Sequence, residues 1–322
     1  MAPNLLFVVG AGRSGTSLVQ SMLAAHPHIA FLPETAFVRN YILRGKLQKL
    51  YRQKGKSLVV QTLDRDERFR RIGLEAEDLV AKSLLKDGCL DVNLYRRILF
   101  ARQGSRREWV GDKDPRLIEF LPLLHCINPQ VRIIHVFRDP RDVLLSKKKA
   151  AWSKNGHIWK HIFANRVQFA MGRRFGCKIF GKNYHEVCYE ELISEPEKVL
   201  TGLCEAIGIR YHWRMLSDFG KVARELVSET EIEWKQETMG PLLKDNMQKW
   251  RTALKAKEIY LTELCCQEII NHADYTKDRL KQHGGFRDLL WILAGWLSIS
   301  LAARPYIFLQ RCRIRRVCRR ID

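Results

Sequence analysis

Leu5-Leu6-Phe7-Val8-Val9 runs into Gly10-Ala11-Gly12-Arg13-Ser14-Gly15-Thr16-Ser17, and Leu18-Val19-Gln20-Ser21-Met22-Leu23 follows. An aliphatic run, a glycine-rich turn and an amphipathic pattern spell strand, loop and helix. That geometry turns several backbone N–H groups and the positive end of a helix toward one point, a site for a phosphate or sulfate ester.

The loop also limits the ester. Gly10 and Gly15 have the spacing of a nucleoside-triphosphate-binding loop, but Thr16 stands where such a loop carries lysine. The cation comes earlier, at Arg13. A kinase or ATPase places that later lysine on the β- and γ-phosphates. The loop therefore suits a nucleotide with one 5′-phosphate group that carries something else.

A second cluster lies further along. Val131 to Phe137 reads as a buried strand and ends in Arg138-Asp139-Pro140-Arg141-Asp142-Val143-Leu144-Leu145-Ser146. Asp139 suits a helix N-cap and Pro140 the first turn. Arg138 is then expected at the strand's carboxyl end, where open α/β sheets bind ligands, with Ser146 about two turns into the helix. Together they offer a cation and a hydroxyl for a second phosphate.

With both clusters the chain resembles the sulfotransferases that use 3′-phosphoadenosine 5′-phosphosulfate (PAPS). Arg13-Ser14-Gly15-Thr16-Ser17 is similar to their 5′-phosphosulfate loop. Arg138 and Ser146, at their spacing, are similar to the 3′-phosphate pair. Tyr184 to Glu190, with Leu192, Pro196 and the pattern up to Gly208, resembles the late strand and helix near the nucleotide. Lys249-Trp250-Arg251 resembles the basic loop that closes over the phosphates. The resemblance spans roughly residues 5 to 270. It implies PAPS as co-substrate, and nucleotide contacts from Arg13, Ser14, Gly15, Thr16, Ser17, Arg138, Ser146, Tyr189 and Lys249.

Sulfuryl transfer to a hydroxyl needs a base for the acceptor proton and cations for the charge on the sulfuryl and leaving oxygens. Glu34 follows the extended stretch Ile29-Ala30-Phe31-Leu32, expected to be a second strand beside the first. Tyrosylprotein and several carbohydrate sulfotransferases carry a glutamate in this place, so the resemblance makes Glu34 the base. Lys113, in Gly111-Asp112-Lys113-Asp114-Pro115, is placed by the same resemblance on the leaving oxygen. Arg13 completes the catalytic set. Cytosolic small-molecule sulfotransferases have a histidine base two residues after their lysine; here Pro115 stands there, which favours Glu34.

The ten histidines and nine cysteines fall into no ligand spacing, so no metal is expected. Alternating strands and helical patterns, with 46% hydrophobic residues, predict one α/β domain over residues 1–285. Its fold is a P-loop-like three-layer arrangement around a central, mainly parallel sheet, with a basic helical insertion at 39–107. Trp152 and Trp159 read as packing residues.

The net charge of +21 draws anionic partners. No nucleic-acid-binding motif accompanies it, so nucleic acid is not expected. Residues 286–322 form a hydrophobic, arginine-rich segment. Leu289 to Ala303 carries no charge, Arg304-Pro305 interrupts it, and six arginines follow from Arg311 to Arg320. A re-entrant or interfacial helix on an anionic membrane fits better than a straight span. The first strand starts almost at Met1, leaving no visible signal peptide or N-terminal anchor, and the odd, scattered cysteines read as free thiols. The cytoplasmic face of a membrane is the expected location.

The expected activity is sulfuryl transfer from PAPS to an acceptor hydroxyl, first of a carbohydrate or glycolipid and second of a peptide tyrosine. An atypical P-loop kinase and a non-catalytic membrane adaptor are the alternatives.

Overall fold

A computed structural model of the chain describes residues 4–101, 108–150, 153, 156–277 and 285–321; Trp152 lies outside them. Five strands form one parallel sheet: β1 (Asn4–Gly10), β2 (Ile29–Phe31), β3 (Trp109–Lys113), β4 (Arg132–Phe137) and β5 (Tyr184–Cys188), in the order β2-β3-β1-β4-β5.

The alternation along β1 decides the layers. Leu5, Phe7 and Val9 enter one buried cluster with Leu47, Val59, Tyr95 and Leu99 of the segment between β2 and β3. Leu6 and Val8 enter a second with Val19, Met22, Leu200 and Leu203. Helices therefore cover both faces, as a parallel sheet requires. The expected insertion is helical, over Lys46–Asp64, Glu67–Arg70, Ala76–Leu84 and Leu90–Phe100, with a break at Gly55.

One expectation needs correcting. β2 does not lie beside β1. Its register is Ile29 to Trp109, and β3 in turn pairs Asn4 with Trp109. Gly111 allows the insertion: a Cβ there would come 2.5 Å from the Phe31 ring and 2.7 Å from the Leu6 carbonyl oxygen.

Sequence order reverses at β1, where β3 and β4 meet it on opposite sides. That switch point is where open α/β sheets bind ligands.

The C-terminal helix is continuous over Phe286–Ile321 and passes through Pro305. Pro305 is exposed, so the carbonyl that loses its helical partner can bond water. This helix is long and apolar enough to cross a membrane, with 22% of its most apolar window buried against the rest of the chain. Trp159 packs, partly buried, with its ring centroid 5.7 Å from that of Trp291.

Candidate active site

All five strands deliver a candidate residue at their carboxyl ends. Arg13 follows β1, Glu34 lies three residues past β2, Lys113 ends β3, Arg138 follows β4 and Tyr189 follows β5. All five line one cavity of about 710 Å³, within the usual range of roughly 300–1,000 Å³ for small-molecule sites. Arg13 and Arg138 thus face a shared space.

The loop after β1 is built by unusual backbone angles. Arg13 has φ 75° and Gly15 φ 97°, left-handed angles of the kind found in anion-binding loops of backbone amides. Gly15 has a second reason to be glycine: a Cβ there would lie 2.4 Å from Cδ2 of Tyr189. Ser14 is spent on the loop itself, since its amide and hydroxyl both donate to the Ala11 carbonyl, at 3.1 and 2.7 Å. Gly12, Thr16 and Ser17 face the cavity, with Thr16 opening the helix Thr16–Ala24. Burial and the neighbouring Arg138 lower the Arg13 pKa against the pull of Glu237.

Asp139 caps the helix Pro140–Lys149 as expected, accepting from the Arg141 amide at 2.9 Å. Arg138 lies over the Tyr189 ring, 4.2 Å from its centroid, and donates from Nη2 to the Asn246 carbonyl at 2.6 Å. Its Nε is buried without a hydrogen-bond partner. A cationic side chain that lines a cavity and keeps one donor unpaired fits an anion. Ser146, expected to pair with Arg138, accepts from Arg13 Nε at 2.8 Å.

Lys249 is exposed and outside the cavity lining, while Trp250 beside it is fully buried. Asp142 holds this turn by accepting from the amides of Gln248 and Trp250 at 2.7 and 3.0 Å, and Asp139 accepts from the indole at 3.1 Å.

At the other end of the cavity, Lys113 donates to Glu34 in a buried ion pair. Lys235 approaches the same Glu34 oxygen at 3.8 Å and pairs with Glu231 at 3.0 Å. Burial pushes the Glu34 pKa up, but Lys113 and Lys235 outweigh it and hold the carboxyl near 2. Burial and Lys113 bring Lys235 down to about 8. Arg39 bonds Asp114 at 2.5 Å, and Arg68, Arg71 and Arg116 extend the cationic wall. Sequence reading missed Lys235, Glu231 and Asn246. Their one local signal is the Ser228–Glu231 capping box, with Lys235 one turn on.

This arrangement can bind an ester of two phosphates at its loop and Arg138 end, and can remove a proton beside a lysine at the other. A solved structure, the sulfotransferase domain of the olefin synthase of Synechococcus PCC 7002, has the same fold. Its TM-score is 0.60 at 20% identity, over 85% of this chain and 96% of that one. A protein described as a putative protein-tyrosine sulfotransferase of Caenorhabditis briggsae is 23% identical over 226 residues, 69% of this chain and 72% of that protein. Protein-tyrosine sulfotransferase 1 of Danio rerio is 23% identical over 254 residues, 76% of this chain and 65% of that protein. The model of the sulfotransferase family matches residues 3–213, and with that match over most of its length the chain belongs to the sulfotransferase family.

Proposed function

We propose that this sulfotransferase moves the sulfuryl group of PAPS to a hydroxyl of an anionic acceptor, with a tyrosine in an acidic peptide segment the best-supported one. The observation that carries the mechanism is the buried Glu34–Lys113 pair facing the same cavity as Arg13 and Arg138.

Arg13 and the Gly12-to-Ser17 loop hold the 5′-phosphosulfate, with Ser14 shaping the loop from behind. Arg138, which lines the same cavity, holds the 3′-phosphate. Ser146, outside the cavity lining, accepts from Arg13 and holds that guanidinium in place. Tyr189 and Asn246 wall the nucleotide end.

Glu34 takes the acceptor proton as the oxygen attacks sulfur. The new S–O bond forms while the S–O bond to the 5′-phosphate breaks, and Lys113 meets the charge that builds on the leaving oxygen. A carboxyl held near 2 is a weak base. When Lys113 turns toward the leaving oxygen, Glu34 loses its strongest cationic neighbour and becomes more basic. Base strength thus rises as the leaving group is stabilised.

Arg68, Arg71 and Arg116 line the cavity in addition to the cations assigned to PAPS, and Tyr189 is the one aromatic residue lining it among the described residues. Charge complementarity supports an acidic acceptor, and the lack of further aromatic platforms weighs against a stacked neutral sugar. The relatives described as tyrosine sulfotransferases support a peptide. The carbohydrate or glycolipid acceptor is the second reading, favoured by the apolar C-terminal helix, which suits an enzyme working at a membrane surface. Incubation with labelled PAPS and a panel of acidic tyrosine peptides, anionic glycans and glycolipids tests both. Label is expected in the peptides, and exclusive labelling of glycolipid would transfer the assignment.

A further inference from the structure

The C-terminal helix uses two opposite faces. Ile292, Gly295, Ile299, Ala303, Ile314 and Val317 are buried against the domain. Gly295 lets the helix approach closely, since a Cβ there would come 2.8 Å from both Leu261 and Trp159. Polar contacts pin it along its length: Asp288 to Lys257 at 2.7 Å, Ser300 to Arg166 at 3.1 Å, and Tyr306 to Glu119 at 2.6 Å. Near its end, Cys318 Sγ lies 2.7 Å from Cys126 Sγ.

The other face is open. Leu290, Leu297, Leu301 and Phe308 recur at helical spacing on it, 49–67% exposed. Arg304, Arg311, Arg315 and Arg319 continue the same stripe at steps of three, four or seven residues. One line along the helix is therefore apolar at first and cationic later. At about 1.5 Å per residue the helix is roughly 54 Å long, well beyond the ~30 Å hydrocarbon core. A span would also strip the docked face from the domain and carry Arg304 into hydrocarbon.

We propose that this stripe docks on an anionic phospholipid surface, with the helix lying along the interface and remaining packed on the domain. Leucines and Phe308 enter the acyl boundary while the arginines meet lipid phosphates. A second copy of the chain fits less well: antiparallel pairing over the full stripe lays leucines on arginines, and parallel pairing lays arginine on arginine. The tie through Tyr306 and Glu119 fixes the surface relative to Arg116, which lines the cavity and lies 3.7 Å from Glu119. The inference rests on the membrane reading above and is independent of the sulfuryl transfer.

The test floats the full chain with phosphatidylcholine vesicles, with and without phosphatidylserine. Wild type is expected to float with the anionic vesicles and to be released by high salt or alkaline carbonate. Leu297→Glu with Leu301→Glu should cut bound protein at least tenfold. Arg311→Glu with Arg315→Glu and Arg319→Glu should abolish the preference for phosphatidylserine. Mild oxidation of the vesicle-bound protein should join Cys126 to Cys318, with Cys126→Ser as control. Protein that resists carbonate and fails to cross-link overturns the surface orientation but keeps the membrane reading. Wild type that never floats overturns both, as does a leucine-dependent dimer seen by ultracentrifugation without lipid binding. Sulfuryl transfer by detergent-free enzyme is scored separately, so its failure is distinct.

Discussion

Arg13 Nε donates to Ser146 Oγ at 2.8 Å. This bond links the loop after β1 to the helix after β4, across 133 positions of sequence. The two proposed anion sites are thus tied together, with Ser146 at the joint. Ser146→Ala is expected to weaken binding of 3′-phosphoadenosine 5′-phosphate about tenfold, the loss of about 1.4 kcal/mol for a charge-assisted hydrogen bond. Turnover at saturating PAPS should stay within about twofold. Calorimetry and steady-state kinetics check the split.

Removing the base or its partner acts on turnover instead. Glu34→Gln should lower kcat on the order of 10²–10⁴-fold. Lys113→Met should fall in a similar range, and the double variant should lose much less than the product because the two act as a unit. Nucleotide binding measured in parallel separates chemistry from fold.

Gly15 meets two constraints at once, φ 97° and the Tyr189 ring. Gly15→Ala is expected to cost about 1–3 kcal/mol of backbone strain and to displace Tyr189. Thermal unfolding with and without nucleotide should show loss of the ligand-induced stabilisation.

Two pH dependences follow, of opposite kind. Glu34 titrates near 2 in the folded chain, below its unfolded value of about 4.3. Its contribution to stability is present above the unfolded value and is lost as pH falls from about 4.3 toward 2. Urea midpoints should drop in that window, less steeply in Glu34→Gln.

Lys235 titrates near 8. Its cation is present below that pH and lost above it. The kcat/KM for an acidic acceptor should therefore fall as pH rises through about 8. Lys235→Arg should retain activity past that point, since arginine stays charged.

The loop from Gly10 to Ser17 and the turn at Arg138 were legible because a buried strand, glycine or proline punctuation and a cation coincide within a few residues. Local sequence does not encode strand rank. β3 enters between β1 and β2 through pairings some 80 to 105 positions apart, so Glu34 was placed near the site but on the wrong neighbour. Lys235 and Asn246 were missed for a related reason: apart from the Ser228–Glu231 capping box their segments carry no motif, and only tertiary packing brings them to the cavity. At the C-terminus Pro305 read as a break, whereas the continuous helix shows that an exposed proline is tolerated where the domain supports the opposite face.

Transfer of labelled sulfate from PAPS to an acidic tyrosine peptide, by wild type and Glu34→Gln side by side, is the most direct measurement of the central claim. Wild type should label the peptide, and Glu34→Gln should bind 3′-phosphoadenosine 5′-phosphate yet transfer label at least a hundredfold more slowly, as loss of a general base requires. Equal rates from the two proteins would contradict the account.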